Sequence, residues 1–166
     1  MKRYKVLYCD LDGTLIETIN EDMFPKGIWD MKFKFNVLDA IKNLAPEYVF
    51  IVSNQGGIEK GYVNSTSIIF KFKNICRCIK DYCNITGLVD YTYCSVNNRK
   101  SIMRKPNVGM LKSFFLDLPQ IKKEEMLMIG DASGKEGQWS DTDKKTAENF
   151  GIDYMDVNDF VNECGK

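Results

Sequence analysis

The chain of 166 residues carries 23 basic and 23 acidic side chains, hence no net charge, and it contains no histidine. That absence excludes a histidine general base, a histidine-ligated zinc and a serine–histidine–aspartate triad. No stretch approaches the roughly 18 apolar residues of a membrane span, and the length suits one domain over residues 1–166.

Cys9, Cys76, Cys78, Cys83, Cys94 and Cys164 lie scattered, mostly within apolar patterns, and no secretory leader precedes them. A soluble, reduced, cytoplasmic protein is expected, with the thiols acting as small core residues. Charge is unevenly spread: residues 60–123 hold 12 basic and 3 acidic side chains, residues 124–166 hold 4 and 11. Such asymmetry fits an anionic partner on one side, or simply differently solvated faces.

In chain order, residues 4–9 (YKVLYC) form a short apolar run that stops at acids, as a buried strand would. Residues 33–44 repeat apolar side chains at helical spacing through Phe35, Leu38, Ile41 and Leu44, and Pro46 ends the pattern. Residues 48–52 (YVFIV) read as a second buried strand running into Ser53-Asn54-Gln55-Gly56-Gly57. A long amphipathic helix is predicted over 64–84 from Ile68, Phe72, Ile75, Ile79 and Tyr82. Strands follow at 89–94 and 126–129, separated by a helix at 108–118. Residues 142–150 read as a helix closed by Gly151, then a short strand at 154–156 and a terminal helix.

Strands that alternate with helices and end in polar, glycine-bearing loops define an α/β fold: a Rossmann-like open parallel sheet with helices on both faces. Ligands of such sheets sit at the carboxyl ends of the strands. This juxtaposes residues 10–14, 53–57 and 130–134.

Two of those loops carry acids. Asp10 and Asp12, two residues apart, would share a direction if the strand continued, and Gly13 permits a tight turn that aims backbone N–H groups at an anion. One carboxylate can attack phosphorus to give an aspartyl phosphate while the other moves protons. A calcium loop would need a glutamate at a spacing this segment lacks.

Asp10-Leu11-Asp12-Gly13-Thr14-Leu15 resembles the first motif of the haloacid dehalogenase superfamily of phosphotransferases, and the other motifs follow in order: Ser53 ending the second strand, Lys105 ahead of the helix that leads to the next strand, and Gly130-Asp131 ending the fourth. The resemblance implies Asp10 as nucleophile and Asp12 as acid and base, with Ser53 and Lys105 holding phosphate oxygens. It also implies Mg2+ held by Asp10, Asp131 and the backbone carbonyl of Asp12. Oxygen ligands suit that hard cation, and phosphoryl transfer needs cations against its spreading negative charge. Asp143, in Thr142-Asp143-Lys144-Lys145-Thr146-Ala147, is expected to orient Lys105 or a metal-held water from outside the first ligand set.

Within the superfamily, four blocks resemble the phosphatase domain of polynucleotide kinase 3′-phosphatases. They are Asp10 to Ile16 with Phe24-Pro25 and Trp29-Asp30; Ser53 to Ile58 with Lys60-Gly61; Arg104-Lys105-Pro106 with Gly109-Met110; and Gly130-Asp131-Ala132-Ser133-Gly134 with the Asp143 segment. Removal of a 3′-phosphate from DNA or RNA ends is thereby implied, with Asn54, Gln55 and Arg104 contacting substrate. A P-loop kinase motif is absent, so a monomeric phosphatase without a kinase domain is expected.

About eighteen residues between Leu15 and Phe33 leave no room for a sizeable cap domain, which predicts an open site. Lys73 and Arg77 recur at helical spacing, and Arg99, Lys100 and Arg104 lie near Lys105, so a basic rim could contact backbone phosphates. The alternative is a small-molecule phosphatase of the histidinol-phosphate or heptose-bisphosphate type. Those enzymes commonly carry a Cys/His zinc loop, which residues 94–104, with one cysteine and no histidine, cannot build.

Overall fold

A computed structural model describes residues 2–20, 24–25 and 27–165. Five strands form one parallel sheet: β1 (Val6–Cys9), β4 (Tyr48–Asn54), β5 (Val89–Cys94), β6 (Met126–Gly130) and β7 (Asp153–Asp156). Their order is β5-β4-β1-β6-β7, so β1 is central and pairs with β4 and β6 in parallel.

Alternation along the strands divides the core into two layers. Leu7 and Cys9 of β1, Val49 and Ile51 of β4, and Leu127 and Ile129 of β6 point to one side. There they meet α1 (Phe35–Leu44), α2 (Ser65–Cys83) and α5 (Val157–Cys164). Val6, Tyr8, Phe50, Val52, Met126 and Met128 point the other way, onto α3 (Gly109–Phe115) and α4 (Thr142–Phe150). Burial on both faces explains why these strands read as unbroken apolar runs.

Local chemistry sets the helix ends. Asn64 caps α2, its side-chain oxygen accepting from the Thr66 N–H at 2.7 Å. Asn84 and Gly151, both left-handed, close α2 and α4. The predicted helix over 33–44 starts later than its periodicity suggests, because residues 31–33 are a strand. This β3 (Met31–Phe33) pairs antiparallel with β2 (Ile16–Thr18). With a 3-10 turn at Ile28–Asp30, this hairpin is what the described residues between β1 and α1 build, and no sizeable cap among the described residues covers the strand ends. Strands of three residues carry too little periodicity to be read from sequence. No helix among the described residues is long and apolar enough to cross a membrane.

Candidate active site

β1 ends at Cys9, so Asp10 is the first residue beyond the central strand; its N–H donates to the Ile129 carbonyl at 3.0 Å. The chain then turns rather than continuing extended. Gly13 adopts φ +83°, its N–H donates to the Ile16 carbonyl at 2.8 Å, and Lys34 Nζ donates to its carbonyl at 2.6 Å. A Cβ at Gly13 would run into the Asp131 carboxylate, so glycine here serves both the turn and the approach of β6's loop. The turn also separates the paired aspartates. The common direction expected for Asp10 and Asp12 holds only for an extended strand, and the strand has stopped.

Asp10 faces β6 and the Lys105 loop. Lys105 is buried, and its ammonium donates to Asp10 Oδ1 and to Asp143 Oδ1, both at 2.6 Å. Burial alone would lower the Lys105 pKa, but the two carboxylates outweigh it and raise it, so the ammonium stays charged. Asp143, at the start of α4, fits against β6 because Gly130 has no Cβ to strike its carboxylate. Its Oδ2 accepts from the Ala132 N–H at 3.2 Å.

Oxygens of Asp10, Asp131 and Asp143 all lie within 4.8 Å of one another, a spacing at which three carboxylates could hold a metal ion. Three acids against one buried lysine leave negative charge uncompensated. Burial, then the charges of Asp10 and Asp143, push Asp131 up to about 7. Such a donor set, all oxygen and short of positive charge, suits a hard divalent cation.

Asp12 turns toward β4 and α2 instead. Its Oδ2 accepts from Gln55 Nε2 at 2.7 Å, and the same amide nitrogen donates to Ser53 Oγ at 2.8 Å. Its Oδ1 is buried without a hydrogen-bond partner, and the nearest cation is Lys71 Nζ at 3.6 Å. Burial raises the Asp12 pKa against the opposing pull of Lys71, while the charge of Asp10 raises it further. Asp12 therefore holds its proton more readily than an ordinary carboxylic acid.

Lys71 is the residue that sequence reasoning missed. It is 0% exposed, and it lies in α2 three residues after Ile68 and four before Ile75, inside the apolar stripe. A lysine on the buried face of an amphipathic helix was the available signal, since lysine is almost never fully buried unless paired.

Ser53 and Gln55 lie beside Asp12, as the parallel topology requires. Asn54 sits one residue away but is engaged differently: its Oδ1 accepts from the Lys105 N–H at 3.0 Å and its Nδ2 donates to the Lys105 carbonyl at 3.2 Å. Both ends of this carboxamide hold the lysine loop, which leaves little of Asn54 for the substrate contact expected of it.

Arg104 flanks the site, its guanidinium donating to the Val96 carbonyl at 3.0 Å. Together with Arg99, Lys105, Trp139 and Lys145 it lines a cleft of about 570 Å³, whose lining includes none of Asp10, Asp12 and Asp131. Lys73 and Arg77 do not converge there. They are exposed on α2, which runs antiparallel to the strands, so each lies farther than Lys71 from the strand ends. Lys80, one turn beyond Arg77, donates to the Gly87 carbonyl just ahead of β5, at the opposite end of the sheet.

The sheet order and the aspartates gathered at its carboxyl edge match the haloacid dehalogenase fold expected from the sequence. Crystal structures share the fold. A protein from Mesorhizobium loti described as HAD-like aligns with a TM-score of 0.69 at 18% identity, covering 98% of this chain and 85% of that one. D,D-heptose 1,7-bisphosphate phosphatase from B. bronchiseptica, complexed with magnesium and phosphate, aligns with a TM-score of 0.63 at 18% identity, covering 96% and 97%.

The family model described as polynucleotide kinase 3 phosphatase matches residues 5–160, and the chain belongs to that family. An uncharacterized 20.8 kDa protein of Autographa californica nuclear polyhedrosis virus is 28% identical over 96% of this chain and 87% of its own length. The bifunctional polynucleotide phosphatase/kinase of Schizosaccharomyces pombe is 31% identical over 92% of this chain, which spans only 36% of that longer protein.

Proposed function

We propose that this phosphatase removes the 3′-phosphate from DNA or RNA ends, with Mg2+, through an aspartyl-phosphate intermediate on Asp10. The observation that carries the chemistry is the shared ammonium of Lys105, 2.6 Å from both Asp10 and Asp143, beside Asp131.

Asp10, Asp131 and the Asp12 carbonyl would hold the cation, which neutralises charge between the incoming phosphate and the nucleophile when bound. Lys105 orients Asp10 by donating to its Oδ1 at 2.6 Å, and Asp143 fixes Lys105 from behind. Asp10 attacks phosphorus while Asp12, whose proton is favoured by burial, gives it to the departing 3′-oxygen. Asp12 then takes a proton from the water that hydrolyses the acyl phosphate, which frees Asp10 and inorganic phosphate. Ser53 Oγ, oriented by Gln55, and the N–H groups after it are suited to a phosphate oxygen.

Support for a polynucleotide end comes from the family match across nearly the whole chain and from the described residues building no sizeable cap over the strand ends, an arrangement open to a polymer. Lys73 and Arg77 would touch only a strand that extends along α2. The chain acts in this reading as one phosphatase domain, monomeric and cytoplasmic.

The test is phosphate release, with Mg2+, from 3′-phosphorylated oligonucleotides, 5′-phosphorylated oligonucleotides and small sugar phosphates. A kcat/KM highest for the 3′-phosphorylated DNA or RNA supports the proposal. A far higher value for histidinol phosphate or a heptose bisphosphate transfers the enzyme to the small-molecule reading and leaves the aspartate chemistry intact.

A further inference from the structure

β5 is an edge strand, with β4 on one side and no strand of the sheet on the other. The Leu88 carbonyl accepts from the Val49 N–H at 3.1 Å and the Cys94 carbonyl from the Gln55 N–H at 2.8 Å, so the even-numbered residues of β5 bond inward to β4. Val89, Tyr91 and Tyr93 therefore turn their N–H and C=O groups outward. Of these groups, the Tyr91 N–H is met locally, by the Asp90 carboxylate at 2.8 Å. The strand is also firmly held, because the Tyr91 and Tyr93 rings stack on Phe72 at 4.7 and 5.5 Å between centroids. A row of outward backbone groups on a firm strand is a template for another extended chain.

A cleft of about 500 Å³ runs beside this edge, between β5 and the end of α3. Tyr48, Phe50 and Phe114 line it with aromatic surface, and Phe50 stacks on the other two at 6.2 and 4.2 Å. Asp90 and Asp117 line it too, while no lysine or arginine does. Neither acid belongs to an ion pair among the described residues. Residues 60–123 hold 12 basic and 3 acidic side chains, so two of those three acids gather at this one cleft. Tyr48 opens β4 and Leu88 precedes β5, which places the cleft toward the amino ends of the strands, opposite the catalytic carboxylates.

The charge selects the occupant. Nucleic acid is repelled by the two aspartates. A second copy fits no better, since pairing β5 with its own symmetry mate brings four carboxylates to one seam. We propose that this edge docks an extended, lysine- or arginine-bearing segment of a partner protein, which adds a sixth strand along β5. Its main chain meets Val89, Tyr91 and Tyr93. Its alternate side chains enter the cleft, apolar ones against Phe50 and Phe114 and a cationic one between Asp90 and Asp117. The active site stays free at the other end of the sheet, so docking tethers the enzyme without blocking it.

The test is a selection from a displayed library of random short peptides on the wild-type protein. Enriched peptides should carry lysine or arginine among alternating apolar residues. A labelled synthetic copy of the most enriched peptide is then titrated by anisotropy. Kd should rise about tenfold or more for the double variant Asp90→Asn, Asp117→Asn, which loses both charges. An amide at position 90 can still accept from the Tyr91 N–H, so the strand is preserved in that variant. Of two copies N-methylated on alternate backbone nitrogens, the one blocked toward β5 should fail to bind and the other should bind. Hydrolysis of p-nitrophenyl phosphate should be unchanged at saturating peptide. No enrichment, enrichment of acidic peptides, equal affinity for the double variant, or equal binding of the two methylated copies overturns the proposal. Inhibition of hydrolysis by the peptide overturns it as well, and dimerisation of the wild-type protein that the peptide reverses gives the edge to a second copy instead.

Discussion

At the scale of single residues, the site separates two carboxylates that stand two positions apart. Asp10 meets Lys105, and Asp12 meets Gln55 and Lys71, because Gly13 and the end of β1 turn the chain between them. Asp10→Asn should fold normally and lose turnover by roughly a thousandfold or more, since an amide cannot form the acyl phosphate. Residual activity near wild type, in protein free of wild-type contamination, would sink the nucleophile assignment.

Lys71→Met tests the other aspartate. The ammonium favours ionised Asp12, so its removal lets Asp12 keep its proton to higher pH, and the limb of the kcat profile that reports loss of this acid should move upward. Removing one partner of a buried pair costs about 3–5 kcal/mol, so Tm should fall by roughly ten degrees and the profile is read well below it. An unchanged pH profile would show that Lys71 does not act on Asp12.

At the scale of elements, the active site is a set of strand ends brought into register, and glycines set how closely the elements approach. β6 ends in Gly130, and the Asp143 carboxylate of α4 occupies the space a side chain would take. Gly130→Ala should push α4 outward and pull Asp143 from Lys105. A loss of about a hundredfold in kcat is expected, because misplacement by an ångström has that effect. Destabilisation of about 1–3 kcal/mol from the overpacked contact should accompany it and be measurable by denaturant unfolding. Near-normal kcat in a folded variant would mean that Asp143 does not need its present position.

The long elements could be read from periodicity, and α2 over Ser65–Cys83 departs from the expected 64–84 by a residue at each end. The β2–β3 hairpin could not, because three-residue strands are decided by what pairs with them.

At the scale of the whole molecule, zero net charge conceals a local excess of acid. Asp131, pushed up to about 7 by burial and by Asp10 and Asp143, binds more protons folded than unfolded between about 4 and 7. The sign follows: metal-free protein should lose stability as pH rises through that window, the reverse of an ordinary ion-paired carboxylate. A divalent cation supplies the missing positive charge. At pH 7.5, saturating Mg2+ should raise Tm by roughly 5–10 °C over chelated protein, with a smaller gain at pH 5 where protons compete. Equal melting temperatures with and without Mg2+ at pH 7.5 would refute the carboxylate site.

The alternation of strands and helices, and hence the parallel sheet, was legible along the chain because buried strands and amphipathic helices are local patterns of apolar spacing. The sequence also marked Asp10, Ser53 and Asp131, since residues at the ends of parallel strands must meet at one edge, while Lys105 was marked by the resemblance of its motif. Tertiary structure alone decided the partners. The side of Asp12, the engagement of Asn54 with the Lys105 backbone and the departure of Lys73 and Arg77 from the site depend on which way the chain turns after each element ends. Lys71 belongs with them: its charge is legible in the sequence, but the carboxylate that justifies burying it lies 59 residues away in the chain and 3.6 Å away in space. Short-range periodicity carries no information about such contacts, which arise when distant segments exclude water together.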